Sequence, residues 1–152
     1  MIKVLFVCHG NICRSPMAEF VMKDIVKQHG KSPEFEIASA ATSTEEIGNP
    51  VYPPARAELA VHGLSCEGKR AVQMTCKDYE YYDYIVAMDR FNLMNMKRFV
   101  GDDPENKVSL LLDYTSNPGD VADPWYSGDF KKTWNDVLKG CEGLYKHVVS
   151  EE

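Results

Sequence analysis

The segment Cys8-His9-Gly10-Asn11-Ile12-Cys13-Arg14-Ser15 brings together a thiol, a guanidinium and a hydroxyl at a spacing that suits nucleophilic chemistry on an anion. A cysteine attacks as its thiolate, and the thiolate is favoured where backbone N–H groups and a helix N-terminus converge on the sulfur. The same N–H groups would hold phosphate oxygens once a substrate arrived. Arg14 can grip two such oxygens at once and stabilise the charge that develops around phosphorus. Ser15 can donate a hydrogen bond to the sulfur and make it a better leaving group. Gly10 and Asn11 are the residues best able to take positive φ, so the loop is expected to close there. A Cys-x5-Arg spacing alone is frequent by chance; its setting gives it weight.

That setting is a strand before and a helix after. Lys3 to Cys8 is a β-branched and aromatic run, read as a buried strand. Ser15-Pro16 supplies an N-cap and a proline at the first helical position. Met17, Phe20, Val21 and Ile25 then share one helical face, with Gly30 as the stop. A second strand is expected over Phe35 to Ala40, and a helix from Pro53-Pro54 to Gly63. Thr75-Cys76-Lys77-Asp78 reads as a capping box, Tyr84 to Met88 as a third strand, Arg90 to Arg98 as a helix, and Val108 to Leu112 as a fourth strand. A polar loop from Asp113 to Gly128 precedes a last helix, where Phe130, Trp134, Val137, Leu138, Cys141, Leu144, Tyr145 and Val148 repeat at helical spacing. Alternation of strands and helices predicts a single α/β domain, residues 1–152, with a parallel sheet covered on both faces. In such sheets ligands sit beyond the carboxyl ends of the strands, and Cys8 ends the first one.

Composition narrows the partners. The 152 residues are 44% hydrophobic and 26% charged, an ordinary globular balance. With 17 Lys+Arg against 23 Asp+Glu the net charge is −6. An acidic chain without a basic cluster argues against nucleic acid and against an anionic membrane, so any anion site must make its positive potential locally. The apolar N-terminal run is too short for a signal peptide or a membrane span, and a cytoplasmic location is expected. Five cysteines, an odd number, point to reduced thiols, and no ligand spacing suggests a metal site. Cys66, Cys76 and Cys141 read as structural; His29, His62 and His147 as helix-end or surface groups.

The run Val7-Cys8-His9-Gly10-Asn11-Ile12-Cys13-Arg14-Ser15-Pro16 resembles the signature of the low-molecular-weight protein tyrosine phosphatases. The resemblance continues through Ser39-Ala40-Ala41-Thr42-Ser43, Ile47-Gly48-Asn49-Pro50, Met88-Asp89 and Asp123-Pro124-Trp125-Tyr126, and so spans nearly the whole chain. It implies a flavodoxin-like fold, four parallel strands flanked by helices, and hydrolysis of phosphotyrosine in protein substrates without cofactor or metal. Cys8 would be the nucleophile that becomes phosphocysteine, Arg14 the phosphate clamp, and Asp123 the general acid and then base. The resemblance further places His9, Gly10, Asn11, Ile12, Cys13 and Ser15 around the phosphate, with Ser39 supporting the loop. Trp125 and Tyr126 would wall a slot for a flat ring. Cys13 matches a second loop cysteine that can trap an oxidised nucleophile as a disulfide; it also suits a small buried apolar position. A monomer is expected.

Other readings remain beside this one. Asp-Pro is a common loop pair, and Trp125-Tyr126 could anchor that loop. Glu45 stands where relatives often carry a bulky apolar residue, and its carboxylate would repel acidic phosphopeptides. Gly68-Lys69-Arg70 could attract them, although a solvated loop explains it as well. Arsenate reductases of similar fold need two further cysteines close together, and Cys66 and Cys76 are ten apart. Protein-arginine phosphatases share the loop but tend to carry Thr where Ile12 stands. A non-enzymatic module that binds a phosphorylated ligand would need neither Cys8 nor Asp123.

Overall fold

The computed structural model describes residues 1–151. Its centre is β1 (Ile2–Cys8), which pairs in parallel with β2 (Phe35–Ala41) on one side and β3 (Tyr84–Ala87) on the other; β4 (Val108–Leu110) adds beyond β3, giving the order β2-β1-β3-β4. Parallel neighbours need long crossovers, and α1 (Arg14–Gln28) and α4 (Arg90–Val100) supply two of them. The register sets Cys8 against Ala41 and Val7 against Ala87, so the strands end along one edge.

β1 reads as a continuous apolar run because both of its faces are covered. Val4, Phe6 and Cys8 share a core with Met17 and Val21 of α1 and with Val137, Cys141 and Leu144 of α6 (Phe130–Ser150). Leu5 and Val7 face the opposite core, with Tyr79 of α3 (Cys76–Tyr81) and Met96 and Val100 of α4. The periodic face predicted for the last helix is the buried one: Trp134, Val137, Cys141, Leu144, Tyr145 and Val148 are all in the interior. Two glycines let α6 approach a 3-10 turn at Leu111–Tyr114. A Cβ on Gly140 would lie 2.4 Å from Leu111 Cγ, and one on Gly143 would lie 2.0 Å from the Tyr114 carbonyl oxygen. No helix of the described residues is long and apolar enough to cross a membrane.

Several expectations need correction. Ser15 is not the N-cap of α1; Cys13 holds that position without a side-chain bond, and Pro16 is the third helical residue. The first turn has no intrahelical acceptors for its N–H groups, so proline is accommodated there. β4 stops at Leu110, because Leu111 and Leu112 turn into the 3-10 segment beneath α6. Met88 lies just past β3, which ends at Ala87. Cys76 is exposed at the start of α3, whereas Cys66 and Cys141 are buried. The predicted polar loop holds one helical turn, α5 (Pro124–Ser127). The capping box is as read: the Thr75 N–H donates to Asp78 Oδ2 at 2.8 Å.

Candidate active site

The loop after β1 curls around the Cys8 sulfur. Its carbonyls are turned away from the cradle: the N–H groups of Thr42, Ser43 and Tyr52 donate to the oxygens of Cys8, His9 and Ile12. Asn11 makes the bend with φ of 60°, a left-handed conformation that asparagine tolerates better than most residues. Gly10 does not share it. A Cβ at Gly10 would instead press to 3.3 Å from Glu46 Cγ, so close packing explains the glycine.

The buried Asn11 amide organises the sulfur's surroundings. Its Oδ1 accepts from the Val72 N–H at 3.1 Å, which assigns the other end of the amide as donor. Nδ2 then donates to Ser15 Oγ at 2.8 Å and to Ser39 Oγ at 2.9 Å. Ser15 Oγ lies 3.0 Å from Cys8 Sγ; since it already receives an N–H, its own proton is directed at the sulfur. The Asn11 N–H also points at Cys8 Sγ, at 3.3 Å. Ser39 donates in turn to Glu19 Oε1 at 2.6 Å.

Glu19, only 5% exposed, was not singled out in the sequence. It sits one helical turn after Ser15, on the same face of α1. A buried carboxylate requires compensation. Lys23 supplies it at 2.6 Å from Oε2, and Lys69 Nζ lies 3.7 Å from Oε1 while donating to the Ser39 carbonyl at 2.9 Å. Lys69 is therefore not the solvated loop residue that its Gly-Lys-Arg context suggested. Burial lowers its pKa from the ordinary 10.5, opposed by the Glu19 charge.

Arg14 is buried with its guanidinium held on three sides. Nη1 donates to Asp89 Oδ2 at 2.6 Å and to the Val121 carbonyl at 2.8 Å; Nη2 reaches Asp123 Oδ2 at 3.4 Å. Burial opposes its charge, but the Cys8 sulfur, Asp89 and Asp123 outweigh that and hold its proton more firmly than usual. Asp89 also caps α4, accepting from the Asn92 N–H at 2.8 Å. The sequence pointed to Asp89 only through the Met88-Asp89 pair; its place just past β3 is the signal that could have identified it. Val121 pins the long loop, its N–H donating to the Met88 carbonyl at 2.8 Å, and this brings Asp123 to the cavity. There Asp123 caps α5, with Oδ1 accepting from the Trp125 N–H at 3.0 Å.

A cavity of about 440 Å³ opens above the sulfur, lined by Cys8, His9, Gly10, Ile12, Cys13, Arg14, Asp123, Trp125 and Tyr126 together with Glu45 and Glu46. Asn11, Ser15 and Ser39 stand behind this lining as the bonds that shape it. Trp125 packs against Tyr52, ring centroids 4.8 Å apart, which holds one wall. His9 and Glu45 pair across the opposite rim. The Cys13 thiol is pushed up to about 12, first by burial and then by the negative charge of Cys8 and Asp123. It is a neutral thiol under ordinary conditions, near a sulfur that two donors, the Asn11 N–H and the Ser15 hydroxyl, approach. The arrangement is an anion cradle with a thiol at its base and a carboxyl group at its mouth.

A parallel sheet whose strand ends carry a Cys-x5-Arg-Ser cradle and an aspartate facing it defines the phosphatase class in which a cysteine is the nucleophile. The family described as low molecular weight phosphotyrosine protein phosphatase matches residues 3–152. YfkJ of Bacillus subtilis, a low molecular weight protein-tyrosine-phosphatase, is 37% identical over 154 residues, covering 100% of this chain and 99% of that protein. Its crystal structure superposes with a TM-score of 0.96 over 100% of this chain and 97% of the other, at 36% identity. The Streptococcus pyogenes low molecular weight protein tyrosine phosphatase gives 0.86 at 40% identity, covering 97% and 93%. A drosophila arginine phosphatase gives 0.89 at 29% identity, covering 99% and 100%. The chain belongs to the low molecular weight phosphotyrosine protein phosphatase family.

Proposed function

We propose that this protein hydrolyses phosphotyrosine in protein substrates through a phosphocysteine on Cys8, without metal or cofactor. One observation carries the reading: Cys8, Arg14 and Asp123 line one cavity and Arg14 Nη2 lies 3.4 Å from Asp123 Oδ2, so that a phosphoryl group gripped by Arg14 would be within reach of both the sulfur and the carboxyl group. In the first step the sulfur attacks phosphorus in line, the P–O bond to the phenol breaks, and Asp123 gives its proton to the leaving oxygen. In the second, Asp123 takes a proton from water as that water attacks phosphorus. The S–P bond breaks, phosphate leaves, and the Ser15 proton steadies the departing thiolate. Ile12, Trp125 and Tyr126 offer apolar surface to a flat ring.

The nucleophile requires a reduced sulfur, and all five cysteines are unpaired, which supports a cytoplasmic site of action. A monomer suffices, because every group named comes from one chain. The likeness to an arginine phosphatase keeps phosphoarginine as the second reading, and Ile12 with the aromatic wall favours the phenyl ring over it. The decisive test uses p-nitrophenyl phosphate, whose leaving group departs without needing protonation. Asp123→Asn should accumulate phosphate on Cys8 in acid-quenched samples, with turnover lowered by about 10²–10⁴-fold and vanadate binding retained. Turnover that survives Cys8→Ser, or that EDTA abolishes, refutes the mechanism. A peptide panel in which phosphoarginine is hydrolysed faster than phosphotyrosine selects the second reading.

A further inference from the structure

Exposed apolar side chains are not scattered evenly over this protein. Phe91 (71% exposed) and Met94 (64%) stand on the open face of α4. Two further clefts lie between them and the catalytic cavity. One, of about 440 Å³, shares His9, Arg14, Asp123 and Tyr126 with the catalytic cavity and adds Phe91 and Asn95. The next, of about 330 Å³, is again lined by His9 and continues past Asn95 to Met94 and Arg98. His9 borders all three, so the clefts adjoin one another around its side chain, from the catalytic cavity to Arg98.

Phe91, Met94 and Arg98 recur at helical spacing, so they form one stripe along α4, about 10 Å long at the helical rise of about 1.5 Å per residue. An extended peptide covers that length with about three residues. Charge also varies from the cavity to the end of the stripe. Glu45 and Glu46 line the catalytic cavity, where Glu45 pairs with His9 and Glu46 accepts from Asn49 Nδ2. At the far end of the stripe, the exposed Arg98 donates to the Thr42 carbonyl, and none of the ion pairs among the described residues uses it. The acids beside Phe91 are engaged elsewhere: Asp89 with Arg14, Asp120 with Arg90.

We propose that the α4 stripe is a docking groove for the segment of the protein substrate that flanks the phosphotyrosine, taking an apolar side chain against Phe91 and Met94 and an acidic one at Arg98. The proposal rests on the phosphatase reading above and adds the substrate class to it: phosphotyrosine flanked on one side by apolar and acidic residues. A substrate ring in the catalytic cavity leaves its chain at the cavity mouth. From there the adjoining clefts lead toward Arg98, whose guanidinium suits an acidic side chain. An apolar side chain laid on Phe91 and Met94 removes surface from water that otherwise stays exposed.

The test compares kcat/KM for p-nitrophenyl phosphate with kcat/KM for phosphotyrosine peptides in which each flank, one at a time, carries Leu and Asp or their replacements Ser and Lys. Wild-type protein should prefer the Leu and Asp flank by about tenfold on one side of the phosphotyrosine. The double variant Phe91→Ser, Met94→Ser should keep its p-nitrophenyl phosphate turnover and its melting temperature while losing the Leu preference to within about twofold. Arg98→Gln should lose the Asp preference. Equal rates across the panel in wild-type protein, or a preference undiminished in the double variant, overturns the groove. So does a dimer in sedimentation that the double substitution dissociates, since the stripe would then be a contact between copies. Failure to hydrolyse p-nitrophenyl phosphate at all strikes the phosphatase reading instead, and the two failures are thereby separate.

Discussion

Replacing Glu19 with Gln tests how far the cradle depends on a charge buried behind it. The variant keeps the shape of the side chain and a carbonyl oxygen for Ser39, but removes the negative charge. In the native protein that charge receives the Ser39 hydroxyl at 2.6 Å and Lys23 at 2.6 Å, with Lys69 at 3.7 Å. Reducing a charge-assisted hydrogen bond to a neutral one removes about 1 kcal/mol. Lys23 is largely exposed, so its share is small. Lys69 is mostly enclosed, and an ammonium left there without its counter-charge costs about 2 kcal/mol more. A loss of about 3 kcal/mol corresponds to a fall of about 6–12 °C in melting temperature for a domain of this size. The loss should shrink with alkalinity. Burial lowers the folded pKa of Lys69 below 10.5, so in the interval between the two values the unfolded chain binds more protons and stability rises with pH. Without Glu19, which raises that pKa, the interval widens downward and the variant recovers stability as pH climbs toward the ordinary lysine value. Turnover should also drop, because Ser39 helps hold the amide that directs the Ser15 proton. Calorimetry at neutral pH and again near pH 10, with steady-state kinetics alongside, checks all three. A melting temperature unchanged at neutral pH refutes the argument that this carboxylate is a structural charge.

Three other expectations follow from single contacts. Asp89→Asn removes the carboxylate closest to Arg14 while leaving an oxygen to cap α4, so kcat/KM for aryl phosphate should fall about tenfold with little change in melting temperature; unchanged kinetics would show that the guanidinium is positioned without it. Cys13, its thiol pushed up to about 12, should stay unlabelled by iodoacetamide at pH 8 while exposed Cys76 reacts, as peptide mapping would show; equal labelling contradicts the assigned burial. Gly143→Ala would set a methyl group against the Tyr114 carbonyl oxygen and should destabilise the fold by about 3 kcal/mol or more, read in urea titration.

Much of the architecture was legible because its signals are local. The β1 run, the Gly63 stop of α2 (Pro53–Val61), the Thr75-Asp78 capping box and the periodic face of α6 each lie within a few residues of what they specify. The misreadings occurred where a distant segment decided the outcome. Leu111 and Leu112 have the composition of a strand, yet they turn because α6, with Gly140 and Gly143, comes close enough to take them. Ser15 has the composition of an N-cap, yet its hydroxyl is claimed by Cys8 and Asn11.

The candidate site divides along the same line. By itself the sequence determined the cradle, since Cys8 through Ser15 are contiguous and their loop is bent by its own Asn11 and by the helix that follows. It also named Asp123, through a dipeptide that resemblance made conspicuous. Only the tertiary structure decided what faces that loop. Arg14 meets Asp89 and Asp123 across separations of 75 and 109 residues, and Glu19 meets Lys69 behind Ser39. No pattern of neighbours encodes those meetings; they arise because four parallel strands end along one edge and bring the loops beyond them together.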